Sequence, residues 1–229
     1  MPAIYDWRSS LVPNSQVFRA GGQVIPGART LGGFATDSPE PGGLGELYWD
    51  FAPKGSAQAM RDISWTASRL MNGAAMRLRL AMSPQLVPAT DLNPPLTDGL
   101  PWASGAPWAN DKNWQWNPWV PAASAAARGA ETLTIDMTGL GEVLHLGHLI
   151  GLTLGGVDYT HMVMDTDWTG DLVTVTISPV LRRPVAIGEA VRFRPVMVAR
   201  CANPAQVLGQ FENRRIAVLN AAQFVEALV

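Results

Sequence analysis

Lysine, cysteine and histidine are scarce in this 229-residue chain, and charged residues make up only 16% of it. The single cysteine, Cys201, excludes an internal disulfide. With two lysines, Lys54 and Lys112, and a net charge of -2, the chain lacks the strongly basic face of a general nucleic-acid coat protein. No apolar run is long enough to span a membrane, and the first residues do not follow the signal-peptide pattern. The low charge and the preference for arginine favour a surface that contacts other protein subunits.

What the chain has instead is a series of short runs in which apolar and polar residues alternate between Gly, Asp and Pro. This pattern is typical of antiparallel strands with one buried face. Residues 155–156 and 167–171 have the composition of turns, and Pro179 and Pro184 interrupt the hydrogen bonding of a sheet. The predicted strands are 3–7, 16–18, 23–25, 47–51, 75–82, 131–137, 149–154, 159–164, 172–177 and 190–198.

One helix is predicted, over residues 56–72. Ser56 is suited to cap its first turn, and Gly73 is suited to end it with a positive φ. Because its apolar residues follow helical spacing, we expect one stripe of the helix to pack on a sheet. The residues of that stripe are Met60, Ile63, Ala67, Leu70 and Met71.

Arg77 and Arg79 alternate with apolar residues in the strand that follows the helix, so they share its outer face. Three roles are open for them: they line a channel, they pair with acidic residues of a neighbouring subunit, or they are simply solvated. They are the candidate lumen or inter-subunit residues.

Tryptophan and proline are concentrated in residues 83–128, where neither a helical nor a strand period is sustained. One interpretation is an exposed aromatic platform that stacks on sugar rings or binds a partner protein. The other is an excursion whose rings fold back onto the core of the chain, and in an oligomer the two interpretations merge. The candidate partner-interface residues are Trp102, Trp108, Trp114, Trp116 and Trp119.

The histidines and a group of aspartates are residue types that can bind a metal. His145 and His148 are three residues apart, which in a strand places them on opposite faces, and His161 is distant in sequence, so a shared metal is not expected. The acidic residues within 165–171 depart from the EF-hand spacing and lack its terminal glutamate. A hairpin turn explains them more simply.

Catalytic motifs are absent from the sequence: it contains no GxSxG, HExxH, P-loop or dinucleotide-binding fingerprint. Asp50 and Asp62 are conceivable as a carboxylate pair for glycoside cleavage, but nothing in the sequence brings them together. Cys201 has no neighbouring lysine or histidine to lower its pKa, which predicts a packed thiol. We therefore expect neither an enzyme nor a cofactor.

The predicted fold is mainly β, a β-sandwich or barrel resembling a tail tube, with one flanking helix and an inserted excursion. Residues 1–82 and 129–200 form a discontinuous β-domain, and residues 83–128 are the Trp/Pro-rich insertion. Residues 201–229 pack on the β-domain or on a neighbour, and the periodicity of residues 211–229 can be read as a helix or as a strand.

Several phrases of the chain resemble distal tail or tail-tip proteins of long-tailed (siphovirus-like) bacteriophages. They are the run over residues 147–163, the strand over 169–179, Leu181-Arg182-Arg183-Pro184-Val185 and Gly188-Glu189-Ala190-Val191. The last two fit the form P-x-L-R-x-P-V-x-x-G-x-x-V when Pro179 is included. The N-terminal half is similar in outline, with a helix ending in residues 68–73 and then an alternating strand.

The resemblance implies a virion structural protein that forms a homo-oligomeric ring, sixfold or alternatively threefold, at the distal end of a phage tail. Such a ring joins the tail tube protein to the hub and receptor-binding proteins, and DNA passes through its lumen. The subunit is assembled in the host cytoplasm and is not inserted in a membrane. The alternatives are a tube, terminator or connector subunit of the same particle, a carbohydrate-binding module that uses the tryptophans, and a cell-wall hydrolase.

Overall fold

The structure, a computed structural model, describes residues 3–21, 24–25, 38–39, 43–80, 119–138, 140–207, 210–212 and 216–228. Within them the fold is mainly β, as predicted, with one long helix and one short one. The helices are α1 (Ala57–Met71) and α2 (Pro204–Val207). The strands are β1 (Ile4–Asp6), β2 (Ser15–Arg19), β3 (Val24–Ile25), β4 (Ser38–Pro39), β5 (Glu46–Asp50), β6 (Ala75–Arg79), β7 (Trp119–Pro121), β8 (Thr132–Asp136), β9 (Leu149–Leu154), β10 (Val157–Thr169), β11 (Leu172–Ser178), β12 (Ala190–Arg192), β13 (Val196–Cys201), β14 (Gln210–Glu212), β15 (Ile216–Val218) and β16 (Ala222–Glu226).

Two six-stranded sheets make up most of the molecule. The first, here the mixed sheet, has the order β1-β6-β13-β16-β5-β2, and only its β1–β6 pair is parallel. The second, here the curled sheet, has the order β7-β12-β9-β10-β11-β8. Its two edge strands meet, because Ala122 bridges Ile135 and the Ala123 N–H donates to the Thr134 carbonyl over 2.8 Å. The curled sheet therefore covers its own edges, which the mixed sheet does not do within the described residues.

Helix α1 begins and ends where the sequence predicted. The Ser56 hydroxyl accepts a bond from the Ala59 N–H over 3.1 Å, and Gly73 follows the helix with φ +68°. Its buried stripe packs on the core of the mixed sheet and consists of Ala59, Ile63, Thr66 and Leu70. Met71 was predicted to lie in that stripe, but it is 51% exposed because the stripe turns away from it by the last helical turn.

The chain crosses from the curled sheet to the mixed sheet between β12 and β13. The prediction of a single strand over residues 190–198 was wrong, because Pro195 has no N–H to donate and the backbone changes sheets there. At the crossing, a Cβ placed on Gly151 in β9 would lie 2.8 Å from the Cα of Pro195. Only glycine permits the two backbones to approach this closely.

Two predicted boundaries change. Strand β7 pairs with β12, and Ala126 bridges Val185, so the residues from Trp119 to 128 belong to the curled sheet rather than to the insertion. At the C-terminus, β16 lies inside the mixed sheet between β13 and β5. Residues 222–226 form a strand because they pair with β13 and β5. The periodicity of a few residues does not reveal such partners.

Two ion pairs connect distant parts of the chain. The Arg77 Nε in β6 donates to the Asp158 carboxylate in β10 over 2.7 Å, which joins the mixed sheet to the curled sheet. The Arg182 Nη2, in the segment between β11 and β12, lies 2.9 Å from the Glu226 Oε2 in β16. The side chains of Arg182 and Glu226 are only 11% and 2% exposed. This second pair is therefore the more strongly desolvated of the two.

The carboxylate of Glu226 has further partners that fix its position. Arg182 Nε donates to both of its oxygens over 3.1 and 3.2 Å, and the Gly45 N–H donates to Oε2 over 3.1 Å. Arg182 Nη2 also donates to the Gly43 carbonyl over 2.6 Å. The two side chains thus hold the start of β5, the end of β16 and the β11–β12 segment together.

Glu226→Ala is expected to lower the free energy of unfolding by about 3–5 kcal/mol, because it leaves the buried Arg182 guanidinium without its counter-ion. Denaturant titration measures the effect. Asp6→Asn is the matched control: Asp6 pairs with Arg77 over 3.3 Å but is 78% exposed, so its loss should cost less than about 1 kcal/mol. Equal losses in the two variants would contradict this account.

Candidate functional site

Arg77 and Arg79 share one face of β6, as predicted, but their surroundings differ. Arg77 is neutralised within the chain by Asp158 and Asp6, and these two carboxylates raise its pKa despite its partial burial. Arg79 is exposed at the end of β6, with no ion pair among the described residues. Of the two, Arg79 is therefore the one whose charge is exposed and not neutralised within the described residues.

Trp119 is the only candidate tryptophan within the described residues. It is 58% exposed at the start of β7 and lies opposite Arg192 of β12. Its ring is therefore a partner-accessible aromatic group on the curled sheet. The other four candidates, Trp102, Trp108, Trp114 and Trp116, lie outside the described residues.

His145 and His148 lie closer together than predicted. They precede β9 in a turn rather than in a strand, so the expectation of opposite faces was wrong. Their ring centroids are 5.5 Å apart, and the His145 N–H donates to the His148 Nδ1 over 3.1 Å. No group of three or more histidine, cysteine or acidic side chains that could hold a metal occurs in the part of the chain that the structure describes.

His161 is fully buried in β10. Its Nδ1 lies 2.6 Å from the Pro179 carbonyl oxygen, so Nδ1 carries the proton and Nε2 is left without a hydrogen-bond partner. Desolvation lowers the pKa of this imidazole, and the positive charge of Arg182 lowers it further. The Pro179 carbonyl and the Glu226 carboxylate act in the opposite direction but do not reverse the shift. His161 is therefore a neutral side chain held beside the Arg182–Glu226 pair.

The remaining candidates for chemistry have structural surroundings. Asp62 accepts hydrogen bonds from the Ser10 hydroxyl over 2.6 Å and from the Gln58 amide over 3.0 Å. The bond from Ser10 is the main cause of its lowered pKa, which makes it a poor proton donor for glycoside cleavage. Cys201 is half-buried, and burial raises its pKa, as expected for a packed thiol.

Arginine and aromatic side chains form a surface along α1 and the chain that follows β1. The Arg8 guanidinium lies 3.9 Å from the ring centroid of Trp65, and the Arg69 guanidinium lies 4.6 Å from that of Tyr5. The Tyr5 and Trp65 rings meet edge to face at 5.8 Å. We call these four residues, with the exposed Arg61 beside them, the arginine–aromatic surface.

The hairpin of β10 and β11 has the opposite charge. Asp165 and Asp167 in β10 and Asp171 in the turn are all exposed. On the outer face, they are accompanied by the hydroxyl groups of Thr174 and Thr176 on β11. We call this end of the two strands the acidic hairpin. The predicted turn over residues 167–171 is shorter than expected, because β10 continues to Thr169 and the turn consists of Gly170 and Asp171.

The segregation of charge is visible in the sequence itself. Residues 129–181 contain seven aspartates and glutamates and none of the 17 lysines and arginines of the chain. A count of charge along the chain would have found this acidic segment. The arginine–aromatic surface has no comparable signal, because Tyr5 and Arg8 meet Trp65 and Arg69 only through the fold.

Comparison with known proteins adds no assignment. No protein-family model matches the chain, and no curated protein matches it. Among the described residues, neither helix combines the length and the apolar character that crossing a bilayer requires.

The burial of His161 predicts that stability falls as the pH falls. Its folded-state pKa lies below the ordinary value of 6.5, so below about pH 6.5 the unfolded chain takes up a proton that the folded chain resists. The free energy of unfolding should decrease with a limiting slope of about 1.4 kcal/mol per pH unit. Urea titrations between pH 7.5 and 5 measure this slope.

His161→Gln should remove the part of the slope that His161 causes, whereas His145→Gln is the control because His145 is exposed. If His145→Gln abolished the slope and His161→Gln did not, the pH dependence would not originate at the buried imidazole.

Proposed function

We propose that this chain is a structural subunit of a phage virion that forms a ring at the distal end of the tail. The ring joins the tail tube to the hub and receptor-binding proteins, and DNA passes through its lumen. The subunit assembles in the host cytoplasm and acts without a cofactor or a catalytic step.

The tail-protein phrase between residues 179 and 191 supports this proposal because four of its seven defining residues hold the fold together. Leu181, Val185 and Val191 are buried in the core of the curled sheet. Arg182 is paired with Glu226, as described above. The phrase therefore supplies buried residues to the curled sheet and one partner of the ion pair with the mixed sheet.

The observation that carries the proposal is the contrast between the two sheets. The curled sheet closes on itself through the contact of β7 with β8. The mixed sheet ends in β1 and β2, and no further strand pairs with either of them among the described residues. Strand β2 also has Val17 at 56% exposure. Open strand edges are a liability in an isolated subunit and are useful in one that is covered by neighbouring proteins.

A tube, terminator or connector subunit of the same particle satisfies the same physical requirements. These alternatives differ from a distal tail protein only in their position along the tail. The choice among them therefore depends on where the chain lies in the virion.

Cryo-electron microscopy of phage particles assembled in cells that produce this chain tests the proposal. We expect a ring at the distal end of the tail with sixfold symmetry, or threefold as the second choice. Density for the chain elsewhere in the tail would favour the tube, terminator or connector alternative. Particles without the chain, or with isolated single copies of it, would contradict the proposal.

The exposure of Trp119 favours a second function of another class, binding of carbohydrate. A tryptophan ring that is 58% exposed on a sheet is available to stack on a sugar ring. Arg192 lies on the opposing strand and can donate hydrogen bonds to sugar hydroxyls beside the ring.

A glycan array tests this second function. If the chain binds glycans through this ring, Trp119→Ala should reduce the affinity by about two- to tenfold, since contacts of an aromatic ring contribute about 0.5–1.5 kcal/mol. Ile187→Ala is the matched control, because Ile187 is 72% exposed and has no aromatic ring. The absence of any glycan signal from the wild type would eliminate carbohydrate binding.

A further inference from the structure

We propose that the arginine–aromatic surface is the docking site for the acidic hairpin of a second copy of this chain. The inference deepens the ring proposal above and rests on it, because it names the two surfaces through which successive subunits bind.

The arginine–aromatic surface has the composition of an interface core. Arginine, tryptophan and tyrosine are enriched where proteins bind each other, and they supply most of the energetically important contacts. Stacking on Trp65 and Tyr5 orients the Arg8 and Arg69 guanidinium groups before any partner arrives. Binding of a partner therefore costs less conformational entropy at these side chains than it would at flexible lysines.

The positive charge of this surface is only partly neutralised. Among the described residues, Asp62 is the carboxylate within ion-pair distance of this surface, with its Oδ1 4.0 Å from the Arg8 Nε. Arg69 donates to the Tyr5 hydroxyl over 3.3 Å, and no carboxylate of the described residues is within ion-pair distance of it. The Arg61 Nη2 donates to a neutral amide oxygen, that of Gln58, over 2.9 Å. Three guanidinium groups thus face one carboxylate, which favours an acidic partner.

The acidic hairpin supplies the complementary charge. Asp165 accepts a bond from the N–H of its neighbour Thr166, and none of the three hairpin aspartates forms an ion pair among the described residues. Met162 of β10 packs against the core of the mixed sheet, and Asp167 lies five residues beyond it along β10, or about 16 Å at the usual rise of a strand. The acidic hairpin therefore extends past this contact between the two sheets.

Two different surfaces that complement each other produce head-to-tail association. Such a contact leaves one free surface at each end of a growing assembly, and it closes into a ring when the rotation between copies permits. The charge pattern matches this geometry, because residues 129–181 hold no lysine or arginine while α1 and its surroundings hold three exposed or half-exposed arginines. An acidic hairpin would be repelled by another acidic hairpin, which opposes the symmetric alternative.

Charge reversal on one surface at a time tests the proposal. The first variant is Asp165→Lys with Asp167→Lys, and the second is Arg8→Glu with Arg69→Glu. Each variant alone brings like charges together, and we expect its self-association constant to fall at least about tenfold relative to the wild type. Sedimentation velocity on the full chain at 0.05 and 1 M NaCl measures the constants, and the wild-type value should fall with salt.

An equimolar mixture of the two variants provides the decisive measurement. Lysines on the hairpin of the first variant meet glutamates on the α1 surface of the second, and the unchanged surfaces also match. The mixture should therefore associate in alternating order, and more strongly than either variant alone.

Matched controls separate lost association from lost folding. Arg200→Glu and Asp50→Lys reverse exposed charges that lie on neither surface and should leave association unchanged. Thermal melting of each variant is recorded beside its association. If Arg8→Glu with Arg69→Glu lowers the melting temperature, Arg61→Glu replaces it, because Arg61 is exposed and does not stack on an aromatic ring.

Each remaining outcome decides against the proposal. A wild type that stays monomeric, or folded variants that associate as well as the wild type, would overturn it. If both variants associate normally and the virion still contains a ring at the tail tip, only these surfaces are wrong and the proposed function stands. If a fluorescent single-stranded oligonucleotide binds the wild type and not the Arg8→Glu, Arg69→Glu variant while association is unchanged, the surface binds nucleic acid instead.

Discussion

The buried pair of Arg182 and Glu226 is the interaction on which the arrangement of the two sheets depends. It is formed by a side chain from the segment between β11 and β12 of the curled sheet and one from a strand inside the mixed sheet. Removing two charges from water is unfavourable unless they are paired and fully hydrogen-bonded. The fold meets this condition with the Gly43 carbonyl and the Gly45 N–H, so the position of β5 is fixed by the same carboxylate and guanidinium. The neutral state of His161 follows from the same burial, because a third charge there would face Arg182.

Charged side chains on the surface are arranged differently from the buried pair. There the charges are separated by sign, with acidic groups on the curled sheet and arginines stacked on aromatic rings along α1. In an isolated subunit this separation contributes little to stability, because exposed charges are screened by water and salt. In the proposed head-to-tail contact, this separation orients the second copy. A chain with low total charge can still discriminate between binding geometries when its few charges are sorted in this way.

The local elements of this fold could be predicted from the sequence, and their neighbours in space could not. Alternation in residues 131–137 and 172–177 identifies strands because one face of each is buried, and Ser56 and Gly73 mark the ends of α1 by local hydrogen bonding and backbone conformation. The change of sheet at Pro195 was missed because residues 190–198 alternate without interruption through two short strands. The parallel pairing of β1 with β6 depends on contacts between distant segments, for which the local pattern carries no information.

The same limit applies to the candidate site. Arg77 and Arg79 were placed on one face correctly, yet only the fold brings Asp158 to Arg77 and leaves Arg79 exposed. Trp65 was part of the predicted helix, but its contact with Arg8 depends on how the chain after β1 passes over α1. The distribution of charged residues, in contrast, can be read from the sequence without the fold. The excess of acidic residues over residues 129–181 is therefore predictable.

The close approach of β9 to Pro195 has a mechanical consequence. Because no side chain separates the backbones at Gly151, the two layers of the molecule touch there without any compressible material between them. A larger residue at position 151 would force the two backbones apart. Because Gly151 pairs with Thr160 of β10 on one side and with Arg192 of β12 on the other, such a displacement would reach both neighbours of β9 in the curled sheet.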